Sequence, residues 1–435
     1  MDATATDEVV GICRDLLRID TTNTGDLRTT VGERVAAEYV AAQLDEVGID
    51  SVLHESAPKR ANLVARIPGA DRSRGALLVH GHLDVVPADP SEWSVPPFSG
   101  EEKDGYLWGR GAIDMKDFDA MMLAVVRGWQ RTGYVPPRDI VLCYTADEEA
   151  GMQYGSQFLA EQHPGLFEGC TEAIGEVGGF SYTVNDDLRL YLIETAEKGI
   201  DWLRLHARGR AGHGSFVHDD NAVTALAEAV AAVGRHKFPM VITPTVARFL
   251  EQVSDALGVE LDPDEPELAI AKLGPIANLI GATVRNTANP TRLEAGYKDN
   301  VIPGKASATI DCRTLPGQAE TFLEQLRAVI GPDIEIEHIS QQAAVETAFD
   351  GPLVDAMARA LRAEDPGARA VPYMLSGGTD AKAWTTLGIR CFGFAPLKLP
   401  ADLNFSALFH GVDERVPVEG LRFGVRVLDR LLRSS

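Results

Sequence analysis

Cysteine is scarce in this chain of 435 residues, and no two cysteines stand close together. An odd number of widely spaced thiols without a Cys-x-x-Cys pair argues against a disulfide framework and against a thiolate metal site. We therefore predict buried or unreactive thiols at Cys13, Cys143, Cys170, Cys312 and Cys391.

Positive charge and long apolar runs are also lacking. The chain has 41 Lys and Arg against 64 Asp and Glu, a formal net charge of −23 that would repel nucleic acid and anionic membranes. No uncharged apolar run approaches the ~20 residues that span a bilayer, and no cationic stretch with an apolar block opens the sequence. These absences predict a cytoplasmic protein without nucleic-acid or membrane partners.

The apolar residues that are present follow helix and strand periods, and the length predicts about two domains. In the first part of the chain apolar strands alternate with helices, which predicts an α/β architecture with a sheet covered on both faces. The predicted helices span 30–47 and 115–129, and the predicted strands span 62–67, 76–80 and 140–145.

A second region, of half-exposed strands, begins near Glu197, and the pattern of the first region returns near Pro352. We infer a smaller α+β domain, residues 197–345, inserted into a larger domain of residues 1–196 and 346–435. Its predicted elements are strands over 199–207, 306–313 and 334–339 and helices over 222–233 and 318–329.

Side chains that can bind metal end the strand over 76–80. His80, His82 and Asp84 are spaced two apart, so an extended backbone would direct them to one face. A metal-bound imidazole usually donates its other N–H to a carboxylate, and Asp84 is placed to accept it from His82. The alternative is a hydrogen-bonded cluster at the end of a strand.

Asp114 lies at the start of the predicted helix over 115–129, in the segment Gly109-Arg-Gly-Ala-Ile-Asp-Met-Lys116. A carboxylate there can bind a metal, or it can cap the backbone N–H groups of residues 115–118. The residues alone leave both alternatives open.

Three consecutive acids, Asp147, Glu148 and Glu149, follow the strand over 140–145. Adjacent carboxylates at the mouth of a sheet are costly unless a cation compensates them. Ligands of open α/β sheets bind beyond the carboxyl ends of the strands, where this acidic run and the His82 segment both finish.

Glu176, after a short apolar run, and His410, in the segment 404–414, are further candidates. Together the five segments offer two histidines and three carboxylates as ligands, with one glutamate to spare. Nitrogen and oxygen donors without thiolate suit Zn²⁺, with Co²⁺ and Mn²⁺ as alternatives.

In order and spacing, these segments resemble the zinc aminoacylase and carboxypeptidase family of metallopeptidases. That family includes aminoacylase, acetylornithine deacetylase, succinyl-diaminopimelate desuccinylase, carnosinase and glutamate carboxypeptidase. The resemblance, from about Leu16 to Val416, implies a di-zinc exopeptidase-like catalytic domain and an inserted lid that also forms a homodimer.

The resemblance implies a role for each ligand candidate. Asp114 would bridge two zinc ions, with His82 and Glu176 on one ion and Glu149 and His410 on the other. A water bridging the two ions would then become the nucleophile.

The resemblance also implies catalytic and substrate-binding residues. Glu148 would be the general base, Asp84 would support His82, and His213 would reach the oxyanion. In the lid, Asn300 and Arg313 would contact the substrate, since an Arg fork suits a carboxylate. The loop Ser376-Gly377-Gly378-Thr379 would contact the substrate carboxylate, or else be an ordinary Gly-Gly turn.

Two departures from the family pattern flank the predicted active site. Asp117-Phe118 stands where relatives often have a glycine pair, and Met152-Gln153-Tyr154 stands where small residues are frequent. We predict an apolar pocket near Phe118 and Tyr154 that accepts an acyl chain. An additional helical stretch is predicted in the lid over residues 238–275.

The predicted function is hydrolysis of the amide bond of N-acyl amino acids, because Glu at position 176 is typical of aminoacylases and deacetylases of this family. A dipeptidase or carboxypeptidase, and an acetylornithine deacetylase or succinyl-diaminopimelate desuccinylase, are alternatives. A metal-binding homologue without turnover is an alternative of another class, but the presence of Asp114 and Glu148 favours an enzyme.

Overall fold

The computed structural model describes residues 3–262, 264–273 and 276–435. They form two compact units. The first comprises the described residues up to Glu194, Phe349–Pro372 and Thr379–Ser435, and the second comprises Thr195–Ala348 and Tyr373–Gly378. The inserted domain predicted at 197–345 lies within the second unit, which also takes in the segment 373–378.

The α-helices of the described residues are α1 (Ala3–Leu17), α2 (Arg34–Asp45), α3 (Lys116–Thr132), α4 (Ser156–Gln162), α5 (Ala222–Arg235), α6 (Pro244–Leu257), α7 (Pro266–Lys272), α8 (Ala277–Ile280), α9 (Ala319–Ile330), α10 (Pro352–Glu364), α11 (Ala381–Thr385) and α12 (Val418–Ser434).

The β-strands of the same residues are β1 (Ser51–Ala57), β2 (Arg60–Ile67), β3 (Ala76–His82), β4 (Glu101–Lys103), β5 (Tyr106–Trp108), β6 (Ile140–Thr145), β7 (Cys170–Gly175), β8 (Phe180–Asn185), β9 (Leu188–Glu197), β10 (Gly199–Arg208), β11 (Gly212–His213), β12 (Thr287–Ala295), β13 (Val301–Ile302), β14 (Lys305–Thr314), β15 (Glu335–Gln342), β16 (Val345–Glu346), β17 (Ala368–Leu375), β18 (Arg390–Gly393) and β19 (Arg415–Pro417).

The first unit is built on a mixed sheet in the order β1-β2-β6-β3-β7-β18-β9. The neighbours β6, β3, β7 and β18 are parallel, whereas β2 and β9 are antiparallel to the strands beside them. This architecture confirms the predicted α/β class.

Helices cover both faces of this sheet, because apolar side chains of β3 project from both faces. Leu77 and Val79 point into a core shared with α3 and α12, whereas Leu78 points into a core shared with Trp384 of α11. Every residue of β3 and β6 is buried, which explains their continuous apolar sequences.

The second unit contains an antiparallel sheet in the order β12-β14-β10-β15. Alternate residues of β10 and β14, such as Leu203 and Ile310, pack with Phe322 of α9 and Leu226 of α5. Half-exposed strands over this single helical layer account for the alternating sequence pattern. Within the stretch 238–275 lie α6 and α7, while Pro263, Gly274 and Pro275 are outside the described residues.

All five cysteines, which lie within the described residues, are free thiols, and only Cys170 is not fully buried. Across the part of the chain that the structure describes, no helix combines the length and apolar character that crossing a membrane requires.

Candidate metal centre

Three adjacent parallel strands, β6, β3 and β7, place four candidate site residues at one edge of the sheet of the first unit. His82 is the last residue of β3, Glu148 and Glu149 follow β6, and Glu176 follows β7. Because parallel strands end at the same edge, these side chains converge although the sequence separates them widely.

The five predicted ligands come together as two groups that share Asp114. In one group, His82 Nε2 lies 3.0 Å from Asp114 Oδ1 and 3.4 Å from Glu176 Oε2. In the other, His410 Nε2 lies 3.2 Å from Asp114 Oδ2 and 3.0 Å from Glu149 Oε2. Since each carboxylate oxygen of Asp114 faces a different group, this residue is placed to bridge two cations.

Asp114 does not cap α3. The helix begins at Lys116, and the preceding Met115 makes no side-chain cap. The Asp114–Met115 peptide bond is cis. The capping alternative is therefore wrong, because the Asp114 carboxylate is directed to the two histidines instead.

The donor atoms fit a cationic occupant. The side chains of Glu148, Glu149 and Glu176 are each no more than 10% exposed. Glu149 Oε1 is buried without a hydrogen-bond partner among the described residues. Burial and the neighbouring carboxylates raise the pKa of Glu148 and of Glu149, and burial raises the pKa of Glu176 to about 8. Such a set of oxygen and imidazole donors is stabilised when divalent cations are bound.

Metal binding is expected to release protons near neutral pH. Hydrogen bonds to Asp114 and Glu149 raise the pKa of His410 to about 10, and the pKa of Glu176 is about 8. Both groups therefore hold a proton at pH 7 that a metal ligand must lose. Calorimetric titrations with Zn²⁺ in buffers of different ionisation enthalpy should show this release, and an affinity that rises with pH. Equal heats in all buffers would contradict the prediction.

The same shifts contribute to the pH dependence of the metal-free protein. The folded-state pKa lies above the ordinary value, 4.5 for Glu176 and 6.5 for His410, so the folded chain binds more protons than the unfolded one. The free energy of unfolding should accordingly fall as pH rises through 4.5–8 for the first group and 6.5–10 for the second.

Asp84 supports the site with its backbone as well as with its side chain. His82 Nδ1 lies 3.0 Å from the main-chain oxygen of Asp84 and 3.5 Å from its carboxylate. The carboxylate accepts hydrogen bonds from the backbone N–H groups of Glu148 and Glu149, at 3.1 and 3.2 Å. Asp84 thus orients His82 with its carbonyl and the acidic run with its side chain.

His80 belongs to neither ligand group, although it stands two residues before His82. It is buried beside the Trp384 ring, with ring centroids 5.8 Å apart. A Cβ atom at Gly175 would come within 2.3 Å of the His80 ring, so the imidazole occupies the space above a residue without a side chain.

Glu414 joins the two loops that deliver Asp114 and His410. Its buried carboxylate accepts hydrogen bonds from Arg110 Nη1 at 2.6 Å and from the backbone N–H groups of Gly111 and Ile113 at 3.1 and 2.8 Å. Arg110 also donates to the carbonyl oxygen of His410. Two candidate ligands that are 296 positions apart in sequence, Asp114 and His410, are held by one buried ion pair.

Substitution of Glu414 by Gln is expected to lower the free energy of unfolding by about 3–5 kcal/mol, because Arg110 would keep a buried charge without its partner. Chemical denaturation of the metal-free protein measures the change. A loss below about 1 kcal/mol, the value of an exposed pair, would contradict this assignment.

Two further acids, Asp147 and Asp380, are buried beside the ligand groups without belonging to either of them. Asp380 accepts hydrogen bonds from the hydroxyl groups of Thr145 and Ser156, and Asp147 accepts them from Arg60 and Asn23. Asp147 is the first residue of the acidic run, whereas Asp380 directly follows the loop 376–379 and was not predicted from the sequence. Their partners come from distant parts of the chain, which local sequence patterns do not reveal.

The residues predicted for the lid lie in the second unit. His213 is on β11, with Nδ1 2.8 Å from Ser215 Oγ. Asn300 precedes β13, the partner of β11, and its carbonyl accepts a hydrogen bond from Gly214. Arg313 is on β14 and donates to Asp311 at 2.7 Å.

The loop 376–379 is divided between the units. Ser376, Gly377 and Gly378 follow β17 in the second unit, whereas Thr379 belongs to the first. The Thr379 hydroxyl accepts a hydrogen bond from the Ala381 N–H at the start of α11.

The predicted acyl pocket is wrong with respect to Phe118. This side chain is completely buried in the main hydrophobic core, where it packs as part of α3 and cannot contact a substrate. Tyr154 is partly buried, and the Arg60 guanidinium carbon lies 5.6 Å from the centre of its ring.

Residues 78–434 match the model of peptidase family M20/M25/M40. The chain belongs to this family. As an M20 peptidase it is a hydrolase of amide or peptide bonds, which confirms the family and the enzyme class expected from its motifs.

Two curated relatives cover most of this M20 peptidase. The N-fatty-acyl-amino acid synthase/hydrolase PM20D1 of Xenopus tropicalis is 27% identical over 98% of the chain and 86% of its own length. Aminoacylase-1 of Sus scrofa is 26% identical over 92% of the chain and 89% of its own length.

A solved structure shows the same fold. The M20 family metallo-carboxypeptidase Sso-CP2 of Sulfolobus solfataricus has a TM-score of 0.73 at 19% identity, covering 98% of this chain and 99% of its own. At this identity the likeness concerns the fold.

Proposed function

We propose that this M20 peptidase hydrolyses the amide bond of N-acyl amino acids with two zinc ions. The observation that carries the proposal is the pair of ligand groups sharing Asp114, with the carboxylate of Glu148 3.9 Å from His82 Nε2. The substrate class is supported by the two relatives, which are named as a fatty-acyl-amino acid hydrolase and an aminoacylase.

The mechanism assigns separate tasks to the metals and to Glu148. Ions bound by His82, Asp114 and Glu176, and by Asp114, Glu149 and His410, would lower the pKa of a water and offset negative charge on the carbonyl oxygen. The Glu148 carboxylate takes a proton from the attacking water and returns it to the leaving nitrogen. Burial and Glu176 raise the pKa of Glu148, which suits a group that holds a proton between these two transfers.

The lid residues complete the proposal. His213 would donate to the oxyanion, Asn300 and Arg313 would bind the substrate, and the loop 376–379 would contact its carboxylate. A guanidinium matches a carboxylate in a bidentate geometry, which is why Arg313 suits an amino-acid product. The homodimer and the cytoplasmic location stay predictions.

Replacement of His213 by Ala is expected to lower kcat by about 10²–10³, with a smaller rise in KM, because an oxyanion donor acts mainly in the transition state. Steady-state kinetics on an N-acyl amino acid measures both constants. A rise in KM at unchanged kcat would show instead that His213 binds the ground state.

A substrate panel tests the proposed function. It comprises N-acetyl, N-succinyl and long-chain N-acyl amino acids, together with dipeptides and the N-acetyl and N-succinyl diamino acids of the alternative deacylases. Product amine is measured with Zn²⁺, Co²⁺ and Mn²⁺ in parallel, and a chelator-treated sample is the control. Cleavage of dipeptides alone would replace the proposal by a dipeptidase or carboxypeptidase.

A further inference from the structure

A buried network lies directly behind the acidic run. Arg60 donates to both oxygens of Glu33, at 2.8 and 2.7 Å, and to Asp147 Oδ1 at 2.9 Å. The Asn23 amide donates to the same Asp147 oxygen at 3.0 Å and to Asp84 Oδ2 at 2.8 Å. All five residues are at most 4% exposed. The network therefore connects Arg60 to the carboxylate that holds the backbone of Glu148 and Glu149.

The backbone of Asp147 explains why this turn needs support. Its φ is 65° and its ψ is 18°, a left-handed conformation that few residues other than glycine adopt. Arg60 and Asn23 hold one oxygen of its carboxylate, and the backbone N–H of Tyr154 holds the other at 3.0 Å. The left-handed conformation of Asp147 turns the chain from the end of β6 into the short helical turn that carries Glu148 and Glu149.

We propose that Arg60 is a positioning residue for the acidic run, and that it acts through Asp147 to place the Glu149 ligand and the Glu148 carboxylate. The inference rests on the proposed function, since it assumes that these two residues bind metal and transfer protons. Arg60 itself touches neither of them.

A purely stabilising role accounts less well for the charges. Arg60 is one cation against the carboxylates of Glu33 and Asp147, and Asp84 is linked to them through Asn23. Burying such a set costs several kcal/mol per ion and is weak evidence for stability. The desolvation cost of these buried charges is explained if they order the strained turn at Asp147, because the residues of that turn serve the active site.

The proposal predicts an unequal effect on the two metals. Glu149 belongs to the group with Asp114 and His410, whereas the group with His82 and Glu176 takes no ligand from the acidic run. Loss of Arg60 should therefore weaken one ion more than the other. A general loss of stability would weaken both alike.

The experiment compares Arg60→Met with Arg189→Met in the full-length protein. Arg189 is a matched control because it also makes a bidentate pair with a buried carboxylate of the first unit, Asp365, with both contacts at 2.5 Å. Zn²⁺ affinity and stoichiometry are measured by competition with a chromophoric chelator, at a temperature where thermal melts show both variants folded. If the wild-type protein bound fewer than two Zn²⁺ ions per chain, the proposed function would be contradicted, and so would this inference.

With two ions bound by the wild type, Arg60→Met is expected to lose affinity for one ion and less for the other. The loss should not exceed the roughly 10- to 100-fold that removal of a direct partner of a metal ligand costs, because Arg60 acts through Asp147. The substitution should also lower kcat more than it raises KM. Arg189→Met should keep both affinities and kcat. Wild-type affinity and kcat in Arg60→Met, or an equal loss at both ions, would overturn the proposal.

A milder variant covers the case in which Arg60→Met does not fold. Asp147→Asn keeps the shape of the side chain and tolerates the left-handed backbone, but it weakens the contact with Arg60. We expect a smaller loss in the same direction, again at one ion. Unchanged affinity at both ions and unchanged kcat in Asp147→Asn would overturn the proposal equally.

Discussion

Replacement of Glu148 by Gln is expected to lower kcat by about 10²–10⁴ or more, while the protein still binds both metals. Gln has the size of Glu but cannot accept a proton from water or return it to the leaving nitrogen. Glu148 belongs to neither ligand group, so its loss should leave metal stoichiometry unchanged. Single-turnover and steady-state rates, with metal analysis of the same preparation, measure both effects.

The control for this prediction is Glu161→Gln, an exposed glutamate on α4 of the same unit, which should keep the wild-type rate. Unchanged turnover in Glu148→Gln would exclude Glu148 as the general base. A parallel loss of metal and rate would instead identify it as a ligand. The two results are distinguishable because rate and stoichiometry are measured separately.

Replacement of Asp114 by Asn is expected to weaken both metals and to abolish measurable turnover. Each of its carboxylate oxygens faces a different histidine, His82 at 3.0 Å and His410 at 3.2 Å. An amide offers one oxygen and no charge, so it cannot bridge two cations. The affinity loss should exceed the roughly 100-fold that removal of an outer partner costs, and it should appear at both ions.

Glu176→Gln and Glu149→Gln are the matched controls, because each removes a carboxylate from only one group. Chelator competition should show one weakened ion in each of them and two in Asp114→Asn. If Asp114→Asn behaved like either control, Asp114 would be an ordinary ligand of a single ion. The proposed mechanism would then lose its shared carboxylate.

The larger elements of the fold could be predicted from the sequence. The strand predicted over 140–145 is β6, and the predicted helix over 115–129 lies within one residue of α3 at its start. All of β6 and residues 116–129 of α3 are buried, which is why both segments are rich in apolar residues. Phe118 is the exception among these residues. The sequence predicted that it lines an apolar pocket, but its side chain is completely buried in the hydrophobic core.

The candidate metal ligands could be selected for a different reason. His82, Asp114, Glu149, Glu176 and His410 stand at the ends of apolar segments, where charged side chains are costly without a cation. Their order resembles a known family, which supplied the pairing into two groups. The sequence alone left capping open for Asp114, because a helix start and a metal ligand call for the same residue type.

Sequence by itself determined the fold class, the family and the residue types of the metal centre, because these depend on local periodicity and on motifs. The tertiary structure alone decided which distant residues hold those ligands. Arg60 reaches Asp147 across 87 positions and Arg110 reaches Glu414 across 304. Contacts of this kind arise where the sheet and its loops meet, and no spacing along the chain records them.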